Sequence, residues 1–279
     1  MDKGKLKNIV ILVLLAVNVF FAGMVILDGA GAKAYARAGE KSLVQALTAS
    51  GVKVDDYSDL GEKAIPVCTF RRNLETENRQ VSSVIGSSSP KDQGGNIIMY
   101  FGKNGQACFR GTGDFEILME NASVKTGTDP VKTSRGIMKT LGMDIADGAK
   151  PVYEQEGGSC TVTAMCTYSD RPIINCQVTF TYSGDSLLLV TGVKPMSIIG
   201  RDDGTGVLDI STVVMRFLSI LKDSGYVCSE IRDISHCYKM DVAATGDGTL
   251  TPLWHFSTDI GDFYINGVTG KQETVTQNN

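Results

Sequence analysis

A stretch of 19 residues near the N-terminus, Ile9–Leu27, contains no charged side chain. Because an α-helix rises 1.5 Å per residue, this stretch would span about 28 Å as a helix, close to the hydrocarbon thickness of a bilayer. A helix on the surface of a globular protein carries a polar face. This stretch has none, and its one strongly polar member is Asn18. The sequence therefore predicts a transmembrane helix at 9–27.

The charges on either side of this stretch predict its orientation. Lys3, Lys5 and Lys7 precede it and Asp28 follows it. Basic residues are retained on the cytoplasmic side of a membrane, so we expect residues 1–8 in the cytoplasm and the bulk of the chain outside the cell membrane, after a single pass. A cleaved signal peptide is the alternative, since Ala30-Gly31-Ala32 has the small-x-small form of a cleavage site. We favour the uncleaved anchor, because secretory apolar regions are usually shorter, about 7–15 residues.

The same stretch offers a candidate contact surface for another membrane helix. Helices in lipid associate through close packing and hydrogen bonds, since apolar burial gives no gain there. Asn18 could supply a hydrogen bond, and Ala16 and Gly23 could supply small surfaces on roughly one face. We therefore expect Asn18, Gly23 and Ala16 to contact a partner helix.

The composition of the chain is that of a globular protein and excludes nucleic acid as a partner. The formal net charge is −4, and since residues 1–27 carry +2, the remainder carries −6. An acidic domain does not attract polyanions. The seven cysteines include no Cys-x-x-Cys spacing, and the two histidines, His236 and His255, lie in strand-like patterns. Neither pattern indicates a metal site, so no metal and no cofactor is expected.

Three predicted helices end in the same way, which indicates a loose internal repeat. The first runs from about Tyr35 to Ser50 and the second from about Pro130 to Leu141, while the third has apolar residues from Ile210 to Leu221 and ends at Gly225; each is followed by glycine and an apolar residue. Glycine at this position adopts a left-handed conformation that ends the helix. In the third helix apolar residues recur at i, i+3, i+4, i+7, i+8 and i+11 from Ile210, the clearest helical pattern of the chain. The polar segment 71–95 is predicted to be a long loop.

Alternating apolar and polar residues between the helices predict antiparallel strands. Residues 96–101 and 106–110 flank an Asn-Gly turn signal, and residues 160–166 and 174–182 each have one apolar face. A register in which paired residue numbers sum to 342 places Cys166 opposite Cys176. The distance between opposed residues suits a disulfide without requiring one, so Cys166–Cys176 is a candidate disulfide, and two buried thiols are the alternative.

These elements predict an α+β fold in which a transmembrane helix is followed by two or three modules, each a helix on an antiparallel sheet. The predicted divisions are 1–8 for the cytoplasmic end, 9–27 for the transmembrane helix, 28–125 for the first module, 126–205 for the second, and 206–279 for a third module that ends in a hairpin.

Both ends of the chain resemble a known family. Lys5-Leu6-Lys7-Asn8-Ile9 followed by Val17-Asn18-Val19-Phe20-Phe21 resembles the N-terminal anchor of the YycH/YycI regulatory proteins of Gram-positive bacteria. The segments 253–256 and 263–270 resemble the closing hairpin of that family and of PepSY-like domains. The resemblance implies PepSY-like modules and a membrane-anchored accessory protein that regulates the sensor kinase of a two-component system in the cell envelope. The partners it implies are a membrane sensor kinase and a sister regulatory protein.

No catalytic residue comes with this resemblance, and the sequence contains no Gly-x-Ser-x-Gly, phosphate-binding loop or His-Glu-x-x-His motif. We therefore expect a protein that is not an enzyme. Two other functions stay open at this point. One is a PepSY-like binding or inhibitor protein, secreted or anchored, and the other is an unrecognised cell-wall hydrolase.

Overall fold

The fold is described from a computed structural model of the 279-residue chain. The structure describes residues 43–54, 64–120, 124–125, 129–146, 152–202, 206–243 and 247–274.

The helices begin where short polar side chains cap their first turns. Residues 43–49 form the described part of α1, followed by α2 (Leu74–Ile85), α3 (Pro130–Thr140) and α4 (Ile210–Ser224). The backbone N–H groups of Thr76, Lys132 and Thr212 donate to the side chains of Asn73, Asp129 and Asp209 over 2.8–2.9 Å. Each cap satisfies a backbone donor that has no partner within its helix.

Three of the helices end at a left-handed glycine, as predicted. Gly51, Gly142 and Gly225 have φ angles of 78°, 75° and 71°. The next residue in each case donates its N–H to a carbonyl five residues back, with Tyr226 donating to Leu221 over 3.1 Å. The same bond is 2.9 Å long after both Gly51 and Gly142. This is the backbone pattern of the Schellman motif, so the stop signals read from the sequence are confirmed.

The strands form one mixed 15-stranded sheet. The main path has the order β11-β2-β13-β12-β9-β10-β6-β5-β4-β3, with β1, β7, β8, β14 and β15 joined at its sides. The strand bounds are β1 (Lys53–Val54), β2 (Val67–Arg71), β3 (Ser89–Asp92), β4 (Ile97–Gly102), β5 (Gly105–Arg110), β6 (Asp114–Met119), β7 (Val152–Glu156), β8 (Ser159–Tyr168), β9 (Arg171–Ser183), β10 (Ser186–Val193), β11 (Ser197–Asp202), β12 (Glu230–Val242), β13 (Asp247–Thr258), β14 (Gly261–Asn266) and β15 (Gln272–Glu273).

The two halves of the sheet meet between β9 and β12. The strands run parallel there and share one paired position, Tyr238 with Ile173. The side-chain amide of Asn175 extends this short pairing, since its Nδ2 donates to the carbonyl of Met240 over 2.7 Å and its Oδ1 accepts from the N–H of Met240 over 2.8 Å. Asn175 thus supplies the two hydrogen bonds that a paired strand residue would supply.

Each half of the sheet carries its own hydrophobic core. α1 and α4 cover the half around β12, β13 and β14, where Phe217 stacks on Phe256 with ring centroids 4.6 Å apart. α2 and α3 cover the half that holds β4–β6 and β8–β10, around Tyr100, Phe109 and Phe180. The amphipathic pattern of α4 is confirmed, because Ile210, Val213, Val214, Phe217 and Leu221 are all buried.

The predicted fold class is wrong, because strands dominate the described structure and form one mixed sheet rather than separate helix-on-sheet modules. β2 lies between β11 and β13, and β10 lies beside β6. All of these pairs join segments placed in different predicted modules. Alternation of polar and apolar residues predicts which face of a strand is buried, but it does not predict the neighbouring strand. The limits of the three modules stay predictions.

The predicted single-pass membrane topology is corrected too. In the ranges that the structure describes, no helix combines the length and the apolar character needed to cross a bilayer. The segment Ile9–Leu27, with Ala16, Asn18 and Gly23, lies outside the described residues.

The loop predicted at 71–95 is also wrong, because it contains α2 and β3. Val81, Val84 and Ile85 form the buried side of α2, but the position one turn earlier holds Glu77, a buried carboxylate. A charged residue in that place interrupts the apolar stripe by which an amphipathic helix is recognised.

Candidate functional site

An open groove runs between the end of α1 and the outer side of α4. Its volume is about 580 Å³. One wall comes from Ser50 and Val52, which follow α1, and the floor is completed by Cys228 before β12. The left-handed Gly225 ends α4 and turns the chain so that Tyr226 and Val227 form the far rim. The groove therefore depends on two of the three helix stops.

The groove is lined by apolar side chains that are exposed to solvent. Met215, Tyr226 and Val227 are 57%, 56% and 83% exposed. Met215, Leu218, Ser219 and Lys222 follow one another at i, i+3, i+4 and i+7 along α4, and all four line the groove. Lys222 is the charged residue among the described lining residues. Large apolar side chains exposed side by side mark a binding surface more often than isolated ones do.

A second, smaller cavity of about 70 Å³ lies between the start of α2 and the segment 194–197. Arg72 and Glu77 form a buried ion pair at its edge, with the Arg72 Nε and Nη2 atoms 2.9 and 2.7 Å from the two carboxylate oxygens. The hydroxyl of Tyr100 donates to Glu77 over 2.8 Å. Burial, followed by the hydrogen bond to Glu77, raises the pKa of Tyr100 above its usual value.

Lys194 lines the same cavity and is itself buried. Its Nζ donates to the Gln80 side chain and to the carbonyl of Leu141, both over 2.8 Å. Burial lowers the pKa of Lys194 to about 8, since a charged ammonium is disfavoured away from water. A cavity of this volume has room for about two water molecules, which suits a structural polar cluster better than an organic substrate.

The structure brings Ser235, His255 and Asp262 together on the sheet face opposite α4. The Ser235 Oγ lies 3.3 Å from Nδ1 of His255, and Asp262 Oδ1 lies 3.1 Å from Nε2, out of line for a hydrogen bond. His255 also stacks on Tyr264 with ring centroids 4.8 Å apart. Ser235 lies directly opposite His255 in the pairing of β12 with β13, whereas Asp262 on β14 is paired with Ser257 and lies diagonal to His255.

This row differs from the arrangements that activate a serine. Nucleophilic serines sit at strained turns or near helix N-termini, where backbone donors can hold an oxyanion. Ser235 lies in the middle of a 13-residue strand. The row is therefore best interpreted as a polar ladder across the sheet.

The two cysteines of the predicted disulfide lie close together as buried thiols. The register summing to 342 holds from Ser159 to Met165, but a bulge follows and the turn is centred between Ser169 and Asp170. Cys166 and Cys176 are both fully buried and unbonded. Burial raises the pKa of both thiols, that of Cys166 to about 12. The disulfide stays a prediction.

The described residues hold no cluster of three or more His, Cys, Asp or Glu side chains suited to a metal ion. His236 is buried against Trp254, with ring centroids 3.8 Å apart.

No protein-family model and no curated protein matches this sequence. Solved structures similar to it include an uncharacterized protein from Eubacterium rectale, at 11% identity and a TM-score of 0.43, over 77% of this chain and 86% of that one. They also include the C-terminal domain of YpeB from Bacillus megaterium, at 10% identity and a TM-score of 0.37, over 75% of this chain and 100% of that one. Similarity at this level carries no argument about fold or function, and it does not show the YycH/YycI family.

The groove is the site whose geometry allows interaction with another molecule. It is far larger than the polar cavity, it is open, and its residues are exposed. Sequence reasoning missed it, because the Met215–Lys222 stripe on α4 is half polar and the exposure of Val227 depends on the turn after Gly225. The arrangement can bind an apolar segment, and it presents no described pair of groups suited to acid–base chemistry.

Proposed function

We propose that this protein is a non-enzymatic accessory protein that acts by binding another protein through the groove between α1 and α4. The single observation that carries the proposal is the groove itself, about 580 Å³ in volume and rimmed by Met215, Tyr226 and Val227. Grooves between helices are a recurrent site for an amphipathic helix of a partner, whose apolar residues fill the groove.

The side chains that line the groove indicate what kind of segment binds there. Its methionine and aromatic side chains are types enriched at protein interfaces, and methionine adapts its shape to a partner. Lys222 supplies a positive charge at the edge. The occupant is therefore an amphipathic helical segment of the partner protein, with apolar residues one turn apart and an acidic residue beside them.

The partner we propose is a sensor kinase, as the resemblance of the two chain ends to YycH/YycI proteins implies. A regulator of that type needs a surface that binds the kinase rather than a catalytic centre, and we assign that role to the groove. Binding would bias the kinase between its signalling states by its different affinity for them.

The test is the affinity of the purified protein for the purified sensor domain of a candidate sensor kinase, compared with that of Val227→Asp. Val227 is 83% exposed, so the substitution should leave the fold intact. Placing a carboxylate in a desolvated contact costs about 2 kcal/mol, which corresponds to roughly 30-fold weaker binding.

Leu188→Asp is the matched control, because Leu188 is an exposed apolar residue on β10, away from the groove. Its affinity for the kinase should equal that of the wild type. Equal affinity of all three proteins, or concentration-dependent self-association that Val227→Asp abolishes, would overturn the proposal, the second by making another copy of this chain the occupant.

A further inference from the structure

The polar cavity between the start of α2 and the segment 194–197 carries a net positive charge. The ionisable residues that line it are Arg72, Glu77 and Lys194. Arg72 and Glu77 form an ion pair and balance each other. No carboxylate in the described part of the chain forms an ion pair with Lys194, which is only 8% exposed. A buried charge of this kind is unfavourable unless a counter-charge lies beside it.

The hydrogen bonds of Lys194 hold its ammonium in place without neutralising it. Nζ donates to the Gln80 side chain and to the carbonyl of Leu141, and both acceptors are uncharged. The ring of Phe109 lies 5.9 Å from Nζ, close to the outer limit of a cation–π contact. An ammonium has three N–H donors, so one of them has no hydrogen-bond acceptor among the described residues.

The acceptors that line the cavity are already engaged. Oε1 of Glu77 accepts from Arg72 and from the hydroxyl of Tyr100, and Oε2 accepts from Arg72. The one carboxylate in the lining therefore makes its hydrogen bonds on the side of the ion pair, and it does not contact the Lys194 ammonium.

The Gln80 amide adds a second donor to the cavity. Its Oε1 accepts from Lys194, so its Nε2 is left to donate. Nε2 lies against Gly142, which also lines the cavity and where a Cβ would overlap it. Asn73 and Thr76 bring the first turn of α2 to the same cavity, and this is the positive end of the helix dipole. Surplus donors together with a surplus positive charge are complementary to an anion.

We propose that this cavity binds one chloride ion, held by the Lys194 ammonium and the Gln80 amide. The cavity has a volume of about 70 Å³, which admits a monatomic ion in place of water and excludes larger organic anions. One negative charge balances the surplus. A divalent anion would bring a second charge into the cavity without a counter-charge, which is unfavourable.

The protonation of Lys194 controls the binding. Burial lowers its pKa to about 8, against the attraction of Glu77, and the charge of Arg72 lowers it further. Cys166 acts on the ammonium from β8, and because burial raises the pKa of its thiol to about 12, it stays neutral while Lys194 titrates. At about pH 9 roughly one chain in ten keeps the ammonium, so the affinity for chloride should be about tenfold weaker than at about pH 7.

The experiment is urea unfolding of the full-length protein in increasing sodium chloride, with sodium gluconate holding the ionic strength constant. Gluconate is too large for the cavity. An ion that binds the folded protein alone raises the folding equilibrium constant, about elevenfold at ten times its dissociation constant. We expect saturable stabilisation by chloride that weakens above about pH 8. In crystals grown with bromide, anomalous scattering should place one bromide ion within hydrogen-bond distance of Lys194 Nζ.

Gln80→Glu tests the site without removing a core side chain. It places a carboxylate beside the ammonium, so it should stabilise the protein in gluconate and abolish the response to chloride. Lys194→Met should abolish the response as well. Gln272→Glu is the matched control, because it adds the same charge at an exposed position of β15, in the other half of the sheet. It should respond to chloride as the wild type does.

Three results would overturn the site: equal stability of the wild type in chloride and gluconate, a full response to chloride in Gln80→Glu, or stronger stabilisation by sulfate than by chloride at equal ionic strength. None of these readouts depends on the groove, so the two proposals stand or fall separately.

Discussion

Glu77→Gln should destabilise the protein strongly, although it keeps the size of the side chain. The carboxylate is paired with Arg72 through two hydrogen bonds of 2.7 and 2.9 Å, and the two side chains are only 10% and 9% exposed. The substitution removes the negative charge and leaves the Arg72 guanidinium buried without a counter-charge. Breaking a buried ion pair by removing one partner costs about 3–5 kcal/mol.

The assay is urea unfolding at neutral pH, with thermal unfolding as a second measurement. Because the amide oxygen introduced by Glu77→Gln can still accept one hydrogen bond, we expect the lower end of the range, about 3 kcal/mol, or a Tm lower by roughly 6–12 °C. Glu75→Gln is the control, since Glu75 is exposed in the first turn of the same helix. It should change the free energy of unfolding by at most about 0.5 kcal/mol.

A double variant separates the ion pair from simple packing. Arg72→Met/Glu77→Leu removes both charges and keeps an apolar filling, so it should recover most of the stability lost in Glu77→Gln. If Glu77→Gln were no more destabilising than Glu75→Gln, or if the double variant were as unstable as the single one, a buried charge pair would not be what holds α2 on the sheet.

Three further predictions follow from single contacts. Asn175→Ala should cost about 2 kcal/mol and remove hydrogen-exchange protection at the Met240 amide, whereas Asn175→Asp keeps the acceptor and should retain that protection. Burial lowers the pKa of Lys194 to about 8, so between about pH 8 and 10.5 the unfolded chain binds more protons than the folded protein. The stability of the wild type relative to Lys194→Met should therefore rise over that window, by up to about 3 kcal/mol, as measured by urea unfolding at several pH values. A flat difference would refute the lowered pKa. Gly225→Ala should destabilise the protein by about 1 kcal/mol, because the backbone of Gly225 has a φ of 71°. Gly136→Ala should stabilise it by up to about 1 kcal/mol, because Gly136 lies in open space inside α3. Equal changes of Tm in the two variants would contradict the assigned backbone conformations.

Local structure was predictable wherever neighbouring residues determine it. The apolar stripe of α4, the three glycine stops and the 96–110 hairpin all appear as the sequence indicates. In each case the deciding contacts join residues a few positions apart, and the pattern of side chains is a direct record of them.

The sequence did not predict the elements whose structure depends on residues far away in the chain. α2 was missed because Glu77 occupies a core position, which is favourable only with Arg72 and Tyr100 beside it. The merging of the modules into one sheet depends on pairings such as β2 with β13, about 180 residues apart in the chain. Side-chain alternation carries no information on such partners.

The candidate groove also depends on contacts between residues that are distant in the chain. The groove joins residues that follow α1 with residues of α4 and of the turn before β12, so it has no spacing that could be recognised in the chain. The cross-strand register of 160–165 was predicted, but the register shift between Met165 and Thr167 was not, because the hairpin closes at Ser169–Asp170 rather than where the predicted register would close it.

Site-specific photocrosslinking from position 227 tests the proposed function most directly. A photoreactive residue in place of Val227 lies on the rim of the groove, and the same residue in place of Leu188 reports on an unrelated surface. We predict that position 227 crosslinks to the sensor kinase, within an amphipathic segment that carries an acidic residue, and that position 188 does not. Crosslinking to the kinase from position 188 but not from 227, or crosslinking from 227 only to another copy of this chain, would contradict the groove as the binding site for the kinase.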